Sequence, residues 1–116
     1  VEDEAELRTL FALMLEALGL EVLQAGGGAE AMGLLTERGG GIDIVVTDMN
    51  LPRGDGTMII AHARRQAPGV KILAMSGYGG ADMRQAASSA GADEFLDKPF
   101  TPPRAVEIVK HLLDLP

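Results

Sequence analysis

Apolar residues recur along the chain at two spacings, and the alternation between them sets out the secondary structure. Leu7, Leu10, Phe11, Met14 and Leu18 fall three and four residues apart, the period of a helix with one buried stripe. This predicts a first helix over about Glu4–Leu18. Gly19 followed by Leu20 has the form of a left-handed cap with an apolar contact, and Glu21–Ala25 is short enough to be a strand. A second helix over about Ala29–Arg38 turns Met32 and Leu35 inward and ends in a loop at Gly39, Gly40 and Gly41. Ile42, Ile44, Val45 and Val46 then make a β-branched run of the kind found in a parallel strand covered on both faces, leading into Thr47 and Asp48.

The second half repeats the scheme. Leu51–Gly56 is dense in turn formers, and helical spacing returns over Thr57–Gln66 through Ile59, Ile60 and Ala63. After Pro68 and Gly69, Val70–Met75 reads as a strand leading to Ser76 and a glycine-rich loop at 77–80. A weakly apolar helix over about Ala81–Ala90 stops at Gly91, and Glu94–Asp97 forms a last strand. Thr101 is placed to cap a final helix with Pro102 at its first position, and Val106, Val109, Leu112 and Leu113 form its buried stripe. Strands and helices in alternation imply a doubly wound α/β fold, a parallel sheet with helices on both faces. A strand preceding the first helix would end at Val1, so a first strand is expected to lie mostly ahead of the sequence shown. Residues 1–116 carry no linker or repeat and read as one domain.

Composition narrows the class. With 116 residues, 47% of them hydrophobic, the chain suits a single core without staples, and it contains no cysteine. No run approaches the ~18 apolar residues of a membrane span, and no secretory leader pattern opens the chain. A cytoplasmic protein away from membranes is the expectation. The formal net charge of −7 disfavours direct binding to nucleic acid.

In open α/β sheets the site forms beyond the carboxyl ends of the strands, where strand order reverses. Glu2 and Asp3 follow the first strand, Asp48 the third, Ser76 the fourth and Lys98 the fifth. In the order 2-1-3-4-5 the first and third strands are neighbours, which brings Glu2, Asp3 and Asp48 together. Clustered carboxylates repel, and a hard divalent cation converts repulsion to attraction; Mg²⁺ suits one or two carboxylates plus waters and phosphate oxygens. Beside such a metal Asp48 is a candidate nucleophile toward phosphorus, with Lys98 meeting the phosphoryl charge and Ser76 donating its hydroxyl. Singly each has a plainer reading: turn chemistry for Asp48, Asn50 and Pro52, a helix cap for Glu2 and Asp3, a solvated charge for Lys98. The glycine runs at 26–28 and 39–41 lack the Lys and Ser or Thr of a phosphate-binding loop, and His62 and His111 have no partner at ligand spacing.

Together these residues resemble the receiver domains of two-component response regulators. VEDE resembles their acidic pair, VVTDMNLPRGDG the phosphoacceptor segment, LAMSGYG the hydroxyl switch, and GADEFLDKPF the lysine with its following proline. The resemblance implies a flavodoxin-like, five-stranded parallel sheet. It implies that Glu2, Asp3 and Asp48 bind Mg²⁺ with the Asn50 backbone carbonyl, and that a histidine kinase or phosphotransfer protein phosphorylates Asp48. Lys98, Ser76 and the backbone near Gly77 would hold the phosphoryl group. It further implies a cis peptide before Pro99, and a switch in which Ser76 and Phe95 carry the change to the surface of the fourth helix, last strand and fifth helix. Phe95 lacks the hydroxyl of the more usual tyrosine. The downstream partner would be an output domain or target protein, with a homodimer also open to the domain.

Such a domain signals through partners and is not a turnover enzyme. Two alternatives share part of the pattern. A haloacid-dehalogenase-like phosphatase also forms an aspartyl phosphate, but it wants an acid two residues after the nucleophile, where Asn50 stands. A degenerate receiver would act as an interaction module without phosphorylation.

Overall fold

The computed structural model describes residues 1–53 and 56–116. In chain order it contains α1 (Ala5–Ala17), α2 (Gly28–Arg38), a 3₁₀ turn (Gly39–Gly41), β1 (Ile44–Asp48), α3 (Gly56–Gln66), β2 (Lys71–Ser76), α4 (Gly80–Ala90), β3 (Glu94–Asp97) and α5 (Pro102–Leu112). The strands form one parallel sheet in the order β1-β2-β3, with Asp48 beside Met75 and Ser76 beside Asp97.

Strand alternation sorts the core into two layers. On β2, Ile72 and Ala74 face one side and pack with Val45, Leu35 from α2, Ile59, Ile60 and Ala63 from α3, and Ala87 from α4. Leu73 and Met75 face the other side and meet Phe11 from α1, Leu96, and Ala105, Ile108 and Val109 from α5. Phe11 and Phe100 meet edge to face, with centroids 5.3 Å apart. Helices therefore cover both faces, as a doubly wound fold requires.

The described residues form three of the five expected strands; the first was expected to lie mostly ahead of Val1, and the remaining one was expected at Glu21–Ala25. Glu21–Ala25 is not a strand, because a strand exists only through a partner. Its single backbone bond to a neighbouring segment runs from the Glu2 N–H to the Ala25 carbonyl at 3.1 Å. The rest of the segment borders a cavity of about 540 Å³ that lies against β1 and is lined by apolar residues such as Leu15, Val22, Leu35 and Val46. Val1 sits as the end of a first strand should, since its nitrogen donates to the Val46 carbonyl and its own carbonyl accepts from the Asp48 N–H at 2.9 Å.

Local signals are otherwise met with small corrections. Gly19 has φ +86° and closes α1, and Gly91 has φ +118° and closes α4, both in the left-handed region that favours glycine. The triple glycine makes a 3₁₀ turn in place of an open loop. Pro102 opens α5 as predicted, but the Thr101 side chain makes no cap; the Thr101 carbonyl instead accepts from Arg104 and Ala105. No helix among the described residues is long and apolar enough to cross a membrane.

Candidate functional site

The parallel register brings the strand ends level, so the residues following them share one edge. Met49 donates its N–H to the Met75 carbonyl at 2.7 Å, and Lys98 donates its N–H to the Ser76 carbonyl at 2.9 Å, which carries the pairing just past each strand. Glu2, Asp48 and Ser76 are buried at this edge, although each is polar. Such burial demands partners.

Lys98 supplies them for the two acids. Its Nζ donates to Glu2 Oε1 at 2.7 Å and to Asp48 Oδ2 at 2.9 Å. The second oxygen of each acid accepts from backbone: Glu2 Oε2 from the Glu4 N–H at 3.1 Å, and Asp48 Oδ1 from the Asn50 N–H at 2.9 Å. Burial pushes the Glu2 carboxyl above its ordinary value, against the hydrogen bond from Lys98. Burial also opposes the charge on Lys98, but its bonds to Glu2 and Asp48 outweigh that effect and hold the amine above its ordinary value.

Asp3 completes the group from the solvent side. Ligand oxygens of Glu2, Asp3 and Asp48 all lie within 4.8 Å of one another. Three carboxylates against one ammonium leave two negative charges in excess at this edge. That donor set fits a hard divalent cation such as Mg²⁺, with protein oxygens on the buried side and room for water beside exposed Asp3.

Ser76 lies in a separate set of contacts. Its hydroxyl has two acceptors, Asn50 Oδ1 at 2.6 Å and the Tyr78 carbonyl, and its oxygen receives the Tyr78 N–H at 3.3 Å. Gly77 donates its N–H to the same Asn50 Oδ1 at 3.0 Å. The Lys98–Pro99 peptide is cis.

The chain is similar to known proteins over nearly its whole length. The sequence matches the response regulator receiver domain family over residues 1–110. The chain belongs to that family. A sensor kinase, CckA of Brucella abortus, is 32% identical over 98% of this chain, which spans 12% of that protein. A transcriptional regulatory protein, PrrA of Mycobacterium tuberculosis, is 34% identical over 97% of the chain, which spans about half of it (48%). Among solved structures, a response regulator from Burkholderia pseudomallei with a phosphorylated aspartic acid, calcium ion and citrate superposes with a TM-score of 0.77 at 25% identity, over 99% of this chain and 72% of that one.

Some features of this receiver domain were not visible in its sequence. The Asn50 side chain is bonded to both Ser76 and Gly77, beside the backbone role expected of its carbonyl. Arg8 donates to the Glu2 carbonyl at 2.8 Å and steadies the acidic turn. Gly56 lies so close to the end of β1 that a β-carbon there would meet Met49 Cα at 2.7 Å. Only the last glycine of LPRGDG hinted at that, and it reads equally as a turn residue. On the outer face, Arg84 of α4 stacks 4.5 Å above the Phe95 ring and pairs with Asp97 at 2.7 Å. His62, to which no role was assigned, hydrogen-bonds Thr36 at 2.9 Å between α3 and α2.

Proposed function

We propose that residues 1–116 form one receiver domain that accepts a phosphoryl group on Asp48 in a Mg²⁺-dependent reaction and relays its state through partners. The observation that carries this reading is the position of Lys98 Nζ, bonded to both Asp48 and Glu2 beside a third carboxylate. A buried carboxylate so placed has its nucleophilic oxygen oriented and a fixed cation ready for the incoming charge.

A carboxylate oxygen of Asp48 attacks the phosphorus of a phosphohistidine on a kinase or phosphotransfer protein. The new O–P bond forms as the P–N bond breaks, and the bonding pair stays with the imidazole nitrogen. Glu2, Asp3, Asp48 and the Asn50 carbonyl would hold Mg²⁺, which when bound neutralises charge on the phosphoryl oxygens. Lys98 turns from Asp48 toward the transferred group, and Ser76 and the Gly77 N–H donate to its oxygens. Ser76 and Phe95 then carry the change to the surface of α4, β3 and α5, where an output domain, target or second copy binds. The net charge of −7 argues against direct nucleic acid contact by this domain.

This reading takes the sheet order as 2-1-3-4-5, supported by the Glu2–Ala25 and Asp48–Val1 backbone bonds. It makes the domain a signalling element in the cytoplasm, not a turnover enzyme. Intact-mass measurement after incubation with acetyl phosphate and Mg²⁺ tests it. The expected result is one added phosphoryl group on the wild type and none on Asp48→Asn. Sustained hydrolysis of small phosphomonoesters would instead indicate a phosphatase, and no adduct under any condition would indicate an interaction module.

A further inference from the structure

The donors that would receive the phosphoryl group are already in use. A hydroxyl has one proton to give, and that of Ser76, which is buried, has Asn50 Oδ1 at 2.6 Å and the Tyr78 carbonyl as its acceptors. The Gly77 N–H points at the same Asn50 oxygen at 3.0 Å. One amide oxygen thus holds the Gly77 N–H and competes with the Tyr78 carbonyl for the Ser76 proton, standing where a phosphoryl oxygen would meet both donors. The Asn50 backbone is tied in turn to the phosphoacceptor, through its N–H to Asp48 Oδ1 at 2.9 Å.

We infer that the Asn50 side chain is an internal latch: its amide oxygen occupies the Ser76 and Gly77 donors in the resting domain and must be displaced before they can hold the phosphoryl group. The inference rests on the phosphoacceptor reading above. The latch gives the resting state a defined arrangement of the switch serine without an unpaired buried hydroxyl. It also sets a threshold, because the incoming oxygen gains only the difference between its own bonds and those it replaces. A charged oxygen wins that exchange, since bonds to ionised acceptors are roughly twice as strong as neutral ones. Asn50 is therefore a positioning residue with a second role distinct from its backbone carbonyl.

Beryllium fluoride, a mimic of the phosphoryl group on a carboxylate, provides the test, titrated at saturating Mg²⁺ and followed by the Gly77 and Tyr78 amide resonances. Asn50→Ala and Asn50→Leu both remove the acceptor, and Leu keeps the volume. Each is expected to lower the half-saturating concentration about fivefold, the equivalent of one neutral hydrogen bond. Mg²⁺ affinity of each variant, measured first without beryllium fluoride, fixes the concentration that saturates its metal site. In a Ser76→Ala background the gain should shrink, as coupled partners require.

Half-saturation that is unchanged or higher in both variants, each at its own saturating Mg²⁺, overturns the latch and leaves the phosphoacceptor reading standing. A wild type that shows neither beryllium fluoride binding nor a phosphoryl adduct sinks that reading and the latch with it. Should both variants unfold, the wild type decides alone. Close magnetisation-transfer contacts between the Gly77 amide and the Asn50 side chain must vanish on saturation, and their persistence rules the latch out.

Discussion

Gly56 rests its α-carbon against the backbone of Met49 so closely that a β-carbon would lie 2.7 Å from Met49 Cα and 3.1 Å from the Asp48 carbonyl oxygen. The first turn of α3 is thus seated on the end of β1 where the Asp48 carboxylate emerges. Backbone cannot yield as a flexible side chain can, so Gly56→Ala must shift one element against the other. The expected loss is about 2–3 kcal/mol of stability, as for overpacking in a close-fitted core. Urea unfolding measures it. A change below about 0.5 kcal/mol, the range of ordinary surface substitutions, would mean that α3 is not seated as described.

Asp3 offers a clean separation of metal binding from folding. It is exposed and has no side-chain hydrogen bond or ion pair among the described residues, whereas Glu2 and Asp48 are buried and bonded to Lys98. Asp3→Asn should therefore leave stability within about 0.5 kcal/mol of the wild type. Mg²⁺ affinity should fall roughly tenfold, because one charged ligand becomes a neutral amide. Calorimetric Mg²⁺ titration of the unphosphorylated protein reads this directly. Equal affinity in the two proteins would remove Asp3 from the ligand set.

These residues were legible in the sequence for a geometric reason. Strand ends in a parallel sheet point the same way, so polar residues after successive apolar runs must share an edge; Glu2, Asp3, Asp48, Ser76 and Lys98 all do. The helices were equally plain, because Phe11, Ile59, Ile60 and Val109 sit on stripes of helical period. Glu21–Ala25 misled because extended propensity is local while a strand is a relation between segments. The contacts of Asn50 to Gly77 and of Arg64 to Gly91 each join residues 27 apart through backbone groups, which carry no residue signature.

The bridge from Lys98 to the acids has a pH signature. The amine holds its proton more tightly in the folded protein than at its ordinary value of 10.5. Between 10.5 and the higher folded value, the folded state keeps a proton that the unfolded chain has released, so stability falls as pH rises there. Below 10.5 the contribution is fully present. Lys98→Met should cost about 2–3 kcal/mol at neutral pH, since two buried carboxylates lose their counter-charge. The gap between variant and wild type should stay flat up to about pH 9.5 and narrow above the amine's ordinary value. A gap that widens with alkalinity would contradict the ion pairing.

Arg64 works at the opposite end of the sheet. From the last turn of α3, its Nε and Nη2 donate to the Gly91 carbonyl at 2.9 and 2.7 Å, and its Nη1 donates to the Val70 carbonyl. Nη2 also pairs with Asp93 Oδ2 at 2.6 Å, and that oxygen accepts the Ile72 N–H at 2.7 Å. One guanidinium thus ties α3 to the close of α4 and to the start of β2. It packs so tightly that a β-carbon on Gly91 would meet Arg64 Cγ at 3.0 Å. A lysine carries the charge but not the planar fork, so it cannot reach these acceptors together. Arg64→Lys should cost about 1–2 kcal/mol and Arg64→Met about 2–3 kcal/mol. Both should leave Mg²⁺ affinity unchanged, because Asp48 lies at the other end of the sheet. Amide exchange at Ile72 should quicken in both variants. If Arg64→Lys proves as stable as the wild type, charge alone holds these elements and the fork is dispensable.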